Sequence, residues 1–165
     1  MDFYNAIANS YNELHGEEQL QKFMFINNII SIKGKVLDLG CGDCQLSSLF
    51  KTDYRGVEPS KELVLKSKFK QHFDLKNIQL VKAEDMILTE KFDIIISVTV
   101  AHHFTNPEKV FLHCKNHLKK NGVLIVSILK NSSSYKNLLE ILTSLFTVEE
   151  VNQGKDIIFI CKDKV

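Results

Sequence analysis

The chain contains no tryptophan, two prolines, seven glycines and, among 21 basic residues, a single arginine, Arg55. Planar, bidentate recognition of phosphate favours arginine, so this imbalance weighs against a dedicated nucleic-acid reader. Acidic residues number 20, and the formal charge of +1 leaves no whole-molecule field to hold nucleic acid or an anionic membrane. No run of 18 apolar residues occurs, since the longest, around Ile94, Ile95 and Ile96, is soon broken by Ser97 and Thr99. That excludes a spanning helix. Four cysteines, with no apolar N-terminal stretch behind a basic one, argue against a secreted disulfide framework and predict a cytoplasmic protein.

What is present is ordinary in amount: 165 residues, 44% hydrophobic and 25% charged. The disordered, collagenous and coiled-coil classes are therefore poor fits. No repeat, low-complexity tract or linker interrupts the chain, which predicts a single domain over residues 1–165, with 1–32 as an N-terminal helical cap and 33–165 as the core.

The pattern alternates. Residues 35–39 read as a strand that ends on Gly40-Cys41-Gly42 and precedes a helical stretch over 45–51. A second strand over 54–57 ends on Glu58-Pro59, and Ser60 is placed to cap a helix over 61–72. Strands come next over 78–81 and 92–97; the latter is nearly continuous in β-branched residues, the mark of a central parallel strand covered on both faces. Pro107 suits the first turn of a helix over 108–118. Asn121-Gly122 breaks the chain before a strand over 123–129. A helix over 135–145 then precedes two strands, 147–151 and 157–161, joined by a hairpin connection at 152–155. The expected class is α/β: a Rossmann-like sheet of seven mostly parallel strands with helices on both faces. Before it, Leu20, Phe23, Met24, Ile26, Ile29 and Ile30 recur near helical spacing. That segment precedes the first strand, so it is free to pack over the sheet's carboxyl edge, where open α/β sheets bind ligands.

Two glycines one residue apart at the end of the first strand let the backbone turn tightly and approach a ligand. A dinucleotide-binding loop would place a third glycine at position 45, where Gln45 stands, and would not carry Asp38 before the first. Glu58 lies 18 residues after Gly40, an acidic strand end able to accept two hydrogen bonds from a ribose diol. His102 and His103 are candidates for a general base, because an unperturbed imidazole titrates near neutrality. Cys41-x-x-Cys44 invites a redox or metal reading, but no second Cys or His pair has zinc-ribbon spacing, and no metal is expected.

The segment VLDLGCGDC, from Val36 to Cys44, resembles the first motif of class I S-adenosylmethionine-dependent methyltransferases: an acidic residue, a spacer, then Gly-x-Gly. FDIIISVTVAHHFTNP, from Phe92 to Pro107, is similar to that family's fourth-strand region, and the stretch from Lys119 to Ser127 is similar to its next loop and strand. The resemblance implies the sheet order 3-2-1-4-5-7-6 with the last strand antiparallel, and an enzyme that uses S-adenosylmethionine and releases S-adenosylhomocysteine. It also implies roles. Asp38, Gly40, Cys41 and Gly42 would lie beside the methionine part of the cofactor, Glu58 on the ribose, and Pro59 against the adenine. Ala83, Glu84 and Asp85 would meet the adenine edge, and Ser97 and Val98 would lie opposite the transferable methyl. Tyr11 would face the cofactor, with Tyr4 or His15 near the substrate. Two positions depart from the family pattern: Cys44 stands where glycine is usual, and Lys82 where aspartate is common. The Asn-Pro-Pro-Tyr motif of methyltransferases acting on adenine or glutamine amides is replaced by Ser97-Val98-Thr99-Val100, which turns the reading away from those substrates. Little chain is left for a substrate domain, so a small-molecule acceptor is expected. The alternatives are an RNA methyltransferase acting with a partner protein and a cofactor-binding protein without activity of its own.

Overall fold

Seven residues from Phe92 to Val98, six of them buried, make the strand about which the molecule is organised. The computed structural model describes residues 11–164, with side chains from His15 onward. Its strands are β1 (Lys35–Leu39), β2 (Asp53–Val57), β3 (Ile78–Gln79), β4 (Phe92–Val98), β5 (Leu118–Leu129), β6 (Thr147–Gln153) and β7 (Asp156–Lys162). They form one sheet in the order β3-β2-β1-β4-β5-β7-β6, as the resemblance implied. β1 to β5 pair in parallel, and β7 runs antiparallel to both β5 and β6.

The helices are α1 (Tyr11–Ile29), α2 (Leu46–Leu49), α3 (Lys61–Leu65), α4 (Pro107–Asn116) and α5 (Tyr135–Leu145). Alternate strand residues feed two cores, as the period-2 geometry of a strand requires. Leu37, Ile95 and Leu124 pack with Phe111 of α4 and Leu142 of α5 on one face. Val36, Ile94, Ile96 and Ile125 pack with Phe23 and Ile26 of α1, Leu46 of α2 and Val64 of α3 on the other. Each large apolar side chain so buried contributes roughly 1.5–3 kcal/mol relative to exposure.

Several elements differ in length from the sequence expectation. The helix expected over 61–72 stops at Leu65, because the buried Ser67 turns its hydroxyl to Asp43 O at 2.5 Å and accepts from Phe69 N. The helix expected over 45–51 is one turn, closed by Ser47 and Ser48 hydroxyls on the carbonyls of Cys44 and Gln45. β3 shrinks to two residues because the Gln79 side chain bonds both the N–H and the carbonyl of Ile87. α4 ends at Asn116 rather than 118, because Phe92 N takes the His117 carbonyl and Leu118 already pairs with Phe92. Gly122 lies further along β5, with Phe92 O only 2.9 Å from where a Cβ would lie, so the bulge between Leu118 and Val123 leaves no room for a side chain at Gly122. α5 spans the predicted residues, and the closing hairpin turns more tightly than expected, at Gly154 and Lys155.

Candidate active site

Strand order reverses between β1 and β4, since β2 lies on one side of β1 and the later strands on the other. A crevice opens at the carboxyl ends of strands at such a switch point. Here it is a cavity of about 370 Å³, within the size range of small-molecule and cofactor sites.

The turn after β1 forms one wall. Gly40 and Cys41 both donate their N–H to Val57 O, at 2.7 and 3.1 Å, which folds the loop back onto β2. Gly40 has φ +67, and a Cβ there would sit 2.4 Å from Val100 Cγ1, so the position tolerates no side chain. Gly42, at φ +55, donates to Glu58 Oε2 at 3.0 Å, while Ser60 N donates to Glu58 Oε1 at 2.8 Å. The Glu58 carboxylate therefore ties the first loop to the second. Burial raises its pKa, and those two N–H donors oppose the rise.

Asp38 is buried one residue before that turn and accepts from the Tyr54 hydroxyl at 2.9 Å. Burial pushes its pKa up to about 7; the Tyr54 bond opposes this, and the nearby Glu58 and Asp43 charges add to it. Among the described residues no lysine or arginine bonds it. Cys41 and Cys44 point inward with their sulfurs 3.5 Å apart, and the backbone of Gly56 leaves the room that Cys41 Sγ fills. Burial raises the Cys41 thiol, so Cys41 packs as a thiol rather than a thiolate. No group of three or more His, Cys, Asp or Glu among the described residues could hold a metal ion.

The opposite wall comes from the end of β4 and from α1. Val98, Thr99, Val100, His103 and Phe104 line it, with Gln19 from α1 above. Lys82, Ala83 and Glu84 close the side after β3. Glu84 Oε1 accepts from the N–H groups of Thr105 and Asn106, at 2.6 and 3.3 Å, joining two loops across the cavity rim. Burial would raise its pKa, but the backbone N–H donors outweigh that and hold it below the usual carboxylate range.

The family model described as "Methyltransferase domain" matches residues 37–126, more than half of the chain, and includes every cavity-lining residue named above except Gln19. The chain belongs to this methyltransferase-domain family. It is 30% identical over 133 residues to the ubiquinone biosynthesis O-methyltransferase of Glaesserella parasuis, covering 73% of this chain and 55% of that protein. To the malonyl-acyl-carrier-protein O-methyltransferase of Haemophilus influenzae it is 29% identical over 136 residues, 74% of this chain and 51% of the other. The chain thus spans about half the length of these relatives. Among solved structures, a SAM-dependent methyltransferase of Thermotoga maritima superimposes with TM-score 0.76 at 18% identity, over 98% of each chain.

Within the methyltransferase domain, the expected site residues separate into three groups. Gly40, Gly42, Glu58, Pro59, Ala83, Glu84, Val98 and His103 line the main cavity together. Asp38 and Cys41 line a small adjoining recess that they share with Gly40, Val98 and Gln19. Asp85, Ser97, His102 and His15 line neither. Asp85 is turned into a neighbouring groove, and Ser97 is fully buried within β4, its Oγ without a hydrogen-bond partner among the described residues. The rings of His102 and His103 lie 3.9 Å apart, yet only His103 reaches the cavity. Burial lowers the His102 pKa and the neighbouring His103 adds to this, against Asp156. Tyr4 and the side chain of Tyr11 fall outside what the structure describes. Gln19, Thr99, Val100 and Phe104 were missed from the sequence; for Thr99, Val100 and Phe104 the available signal was their place just after an apolar strand that ends at the switch point.

Proposed function

We propose that this chain is an S-adenosylmethionine-dependent methyltransferase acting on a small-molecule acceptor. The observation that carries the reading is a cofactor-sized cavity at the switch point, walled by the Gly40 to Gly42 turn and by Glu58, inside the segment that matches the family. S-adenosylmethionine is the methyl donor of this family, and its sulfonium supplies an already activated methyl group.

The residues present suit that donor. Asp38, desolvated and without a basic partner, would receive the cofactor's ammonium, which would offset the cost of burying its charge. The backbone at Gly40 and Gly42 would track the methionine chain, with Cys41 behind it. Glu58 keeps lone pairs beyond the two it gives to Gly42 and Ser60, and these would take the ribose hydroxyls. Pro59 and Ala83 offer apolar surface for the adenine. Lys82 has no acceptor, so the adenine amino group would rely on backbone groups near Glu84. Val98 would face the methyl.

Transfer needs a nucleophile held in line and water kept out, and positioning of that kind is worth up to about 7–11 kcal/mol in favourable cases. In this reading His103, which lines the cavity, would take a proton from an acceptor hydroxyl, and His102, which does not line it, would pack behind. The O-methyltransferase names of the curated relatives support an oxygen nucleophile. The same reading has one domain over 1–165 with residues 1–32 as its cap, working in the cytoplasm; no helix among the described residues is long and apolar enough to cross a membrane. Calorimetry with S-adenosylmethionine and S-adenosylhomocysteine should show micromolar binding. No heat at high micromolar concentration would remove the donor from the reading.

A further inference from the structure

One buried charged cluster joins Lys22 and Asp156, which lie on either side of the family's matched segment, and is not used by the donor site. Asp156 opens β7, which runs antiparallel to β5 and so begins at the sheet's carboxyl edge. It is fully buried, and its Oδ2 receives Ser127 Oγ at 2.5 Å, Lys22 Nζ at 3.1 Å and Thr99 Oγ1 at 3.3 Å. Lys22, 3% exposed on α1, spends its three donors on Asp156, on Thr99 Oγ1 at 3.0 Å and on Glu18 at 2.8 Å. Thr99 sits at φ +57, a left-handed conformation that a β-branched residue adopts only when its surroundings impose it. What imposes it is visible: the Thr99 N–H is held by Ser127 O at 3.0 Å, and its hydroxyl lies between Lys22 and Asp156.

Thr99 is also cavity wall, as is Gln19 one turn before Lys22 on α1. Thr99 stands at the β4 end beside Val98, and Gln19 borders both the main cavity and the recess that it shares with Asp38 and Gly40. If the donor occupies the turn side, this end faces the acceptor. We propose that Asp156 is a positioning residue for methyl transfer, holding the strained Thr99 and, through Lys22, the α1 wall that carries Gln19 in the shape that seats the acceptor. This rests on the methyltransferase reading above. The physical logic is that a fully buried carboxylate and a nearly buried ammonium are each costly alone and fix each other's position when paired. One pair therefore fixes two walls drawn from distant parts of the chain. A misplacement of about 1 Å at such a wall can cost about 100-fold in rate.

The test compares wild type with Asp156→Asn, Thr99→Val and Thr99→Ser. Three measurements are made: affinity for S-adenosylhomocysteine by calorimetry, transfer of labelled methyl to the small-molecule fraction of a cell extract over a dilution series, and amide hydrogen exchange in residues 16–29. Asp156→Asn, at a residue that lines neither the cavity nor the recess, should bind S-adenosylhomocysteine within about threefold of wild type, and both it and Thr99→Val should differ from wild type in the transfer step. Their saturating transfer rate should fall about 100-fold, and exchange in α1 should accelerate about tenfold or more. Thr99→Ser, which keeps the hydroxyl, should recover transfer lost in Thr99→Val. If Asp156→Asn fails to fold, Thr99→Val carries the test alone. Wild-type transfer in Thr99→Val or Asp156→Asn, or a loss of donor affinity in step with transfer, overturns the proposal. If wild type itself binds neither S-adenosylmethionine nor its product, the methyltransferase reading fails instead, and unchanged α1 exchange in Asp156→Asn would separately refute the clasp.

Discussion

On one side of β1 the sheet thins to β2 and a two-residue β3, served by α2 and α3 of four and five residues. On the other, β4, β5, β6 and β7 run seven, twelve, seven and seven residues, with α4 and α5 of ten and eleven packed on one face. The thin side directs backbone groups and the Glu58 carboxylate toward the cavity, with Asp38 of β1 lining the recess beside it. The thick side buries apolar surface and closes its charges on one another, as in the cluster around Asp156. Most of the apolar core and the two donor-side loops are thereby placed on different strands of one sheet, with the end of β4 serving both, which lets the donor loop keep buried carboxylates that would be costly in a fold with no thicker half.

Four variants, with a fifth as control, can break or sharpen that division. The largest effect belongs to the thick half: Phe159→Ala, at a fully buried position stacked 5.9 Å from the Tyr135 ring, should lose about 3–5 kcal/mol in urea unfolding. Ile78→Ala on β3 is the control, and an equal loss there would erase the contrast.

Asp38→Asn should act with the opposite sign. The folded carboxyl titrates near about 7 against 3.8 when unfolded, so the native state binds the extra proton between those values and stability falls as pH rises through that window. The penalty is absent below about pH 4 and complete above about pH 7. Removing the charge should therefore stabilise the ligand-free protein by about 2–4 kcal/mol at pH 8 and by almost nothing at pH 4. The same variant should bind S-adenosylmethionine more weakly. A pH-independent gain in thermal unfolding would show that Asp38 carries no such penalty.

Glu58→Ala leaves Gly42 N and Ser60 N without their acceptor. Its expected cost is about 1.5–3 kcal/mol in donor affinity by calorimetry, and an unchanged affinity would take Glu58 out of the site. The smallest effect is Ser60→Ala, which removes the hydroxyl that accepts from Leu63 N at 3.3 Å at the start of α3. It should cost about 1 kcal/mol of stability, because a helix this short depends on its cap and on Leu63 and Val64 beneath it.

Much of the thick half and of the donor turn was legible in the residues. The β-branched run of β4, the Gly-x-Gly spacing, Glu58 at a strand end and the amphipathic α5 are local patterns, and local sterics decide them. The lengths of α3 and β3 were not legible, because Ser67 and Gln79 spend their side chains on the backbone of Asp43 and Ile87, which an isolated helix or strand would not offer. Nor could the sequence separate His103 from His102, since two adjacent residues on one turn point to different surroundings that only packing defines.

The sequence by itself determined the α/β alternation, the central strand, the switch-point turn and the acidic residues beside it, because each is set by periodicity or by a glycine's conformational freedom. Only the tertiary structure decided which walls meet. Lys22 reaches Thr99 across 77 positions and Thr99 reaches Asp156 across 57, and no periodicity or motif spans such distances. Burial decided their meaning as well: an aspartate, a lysine and a threonine that would be ordinary on a surface become mutually fixed once water is removed from around them.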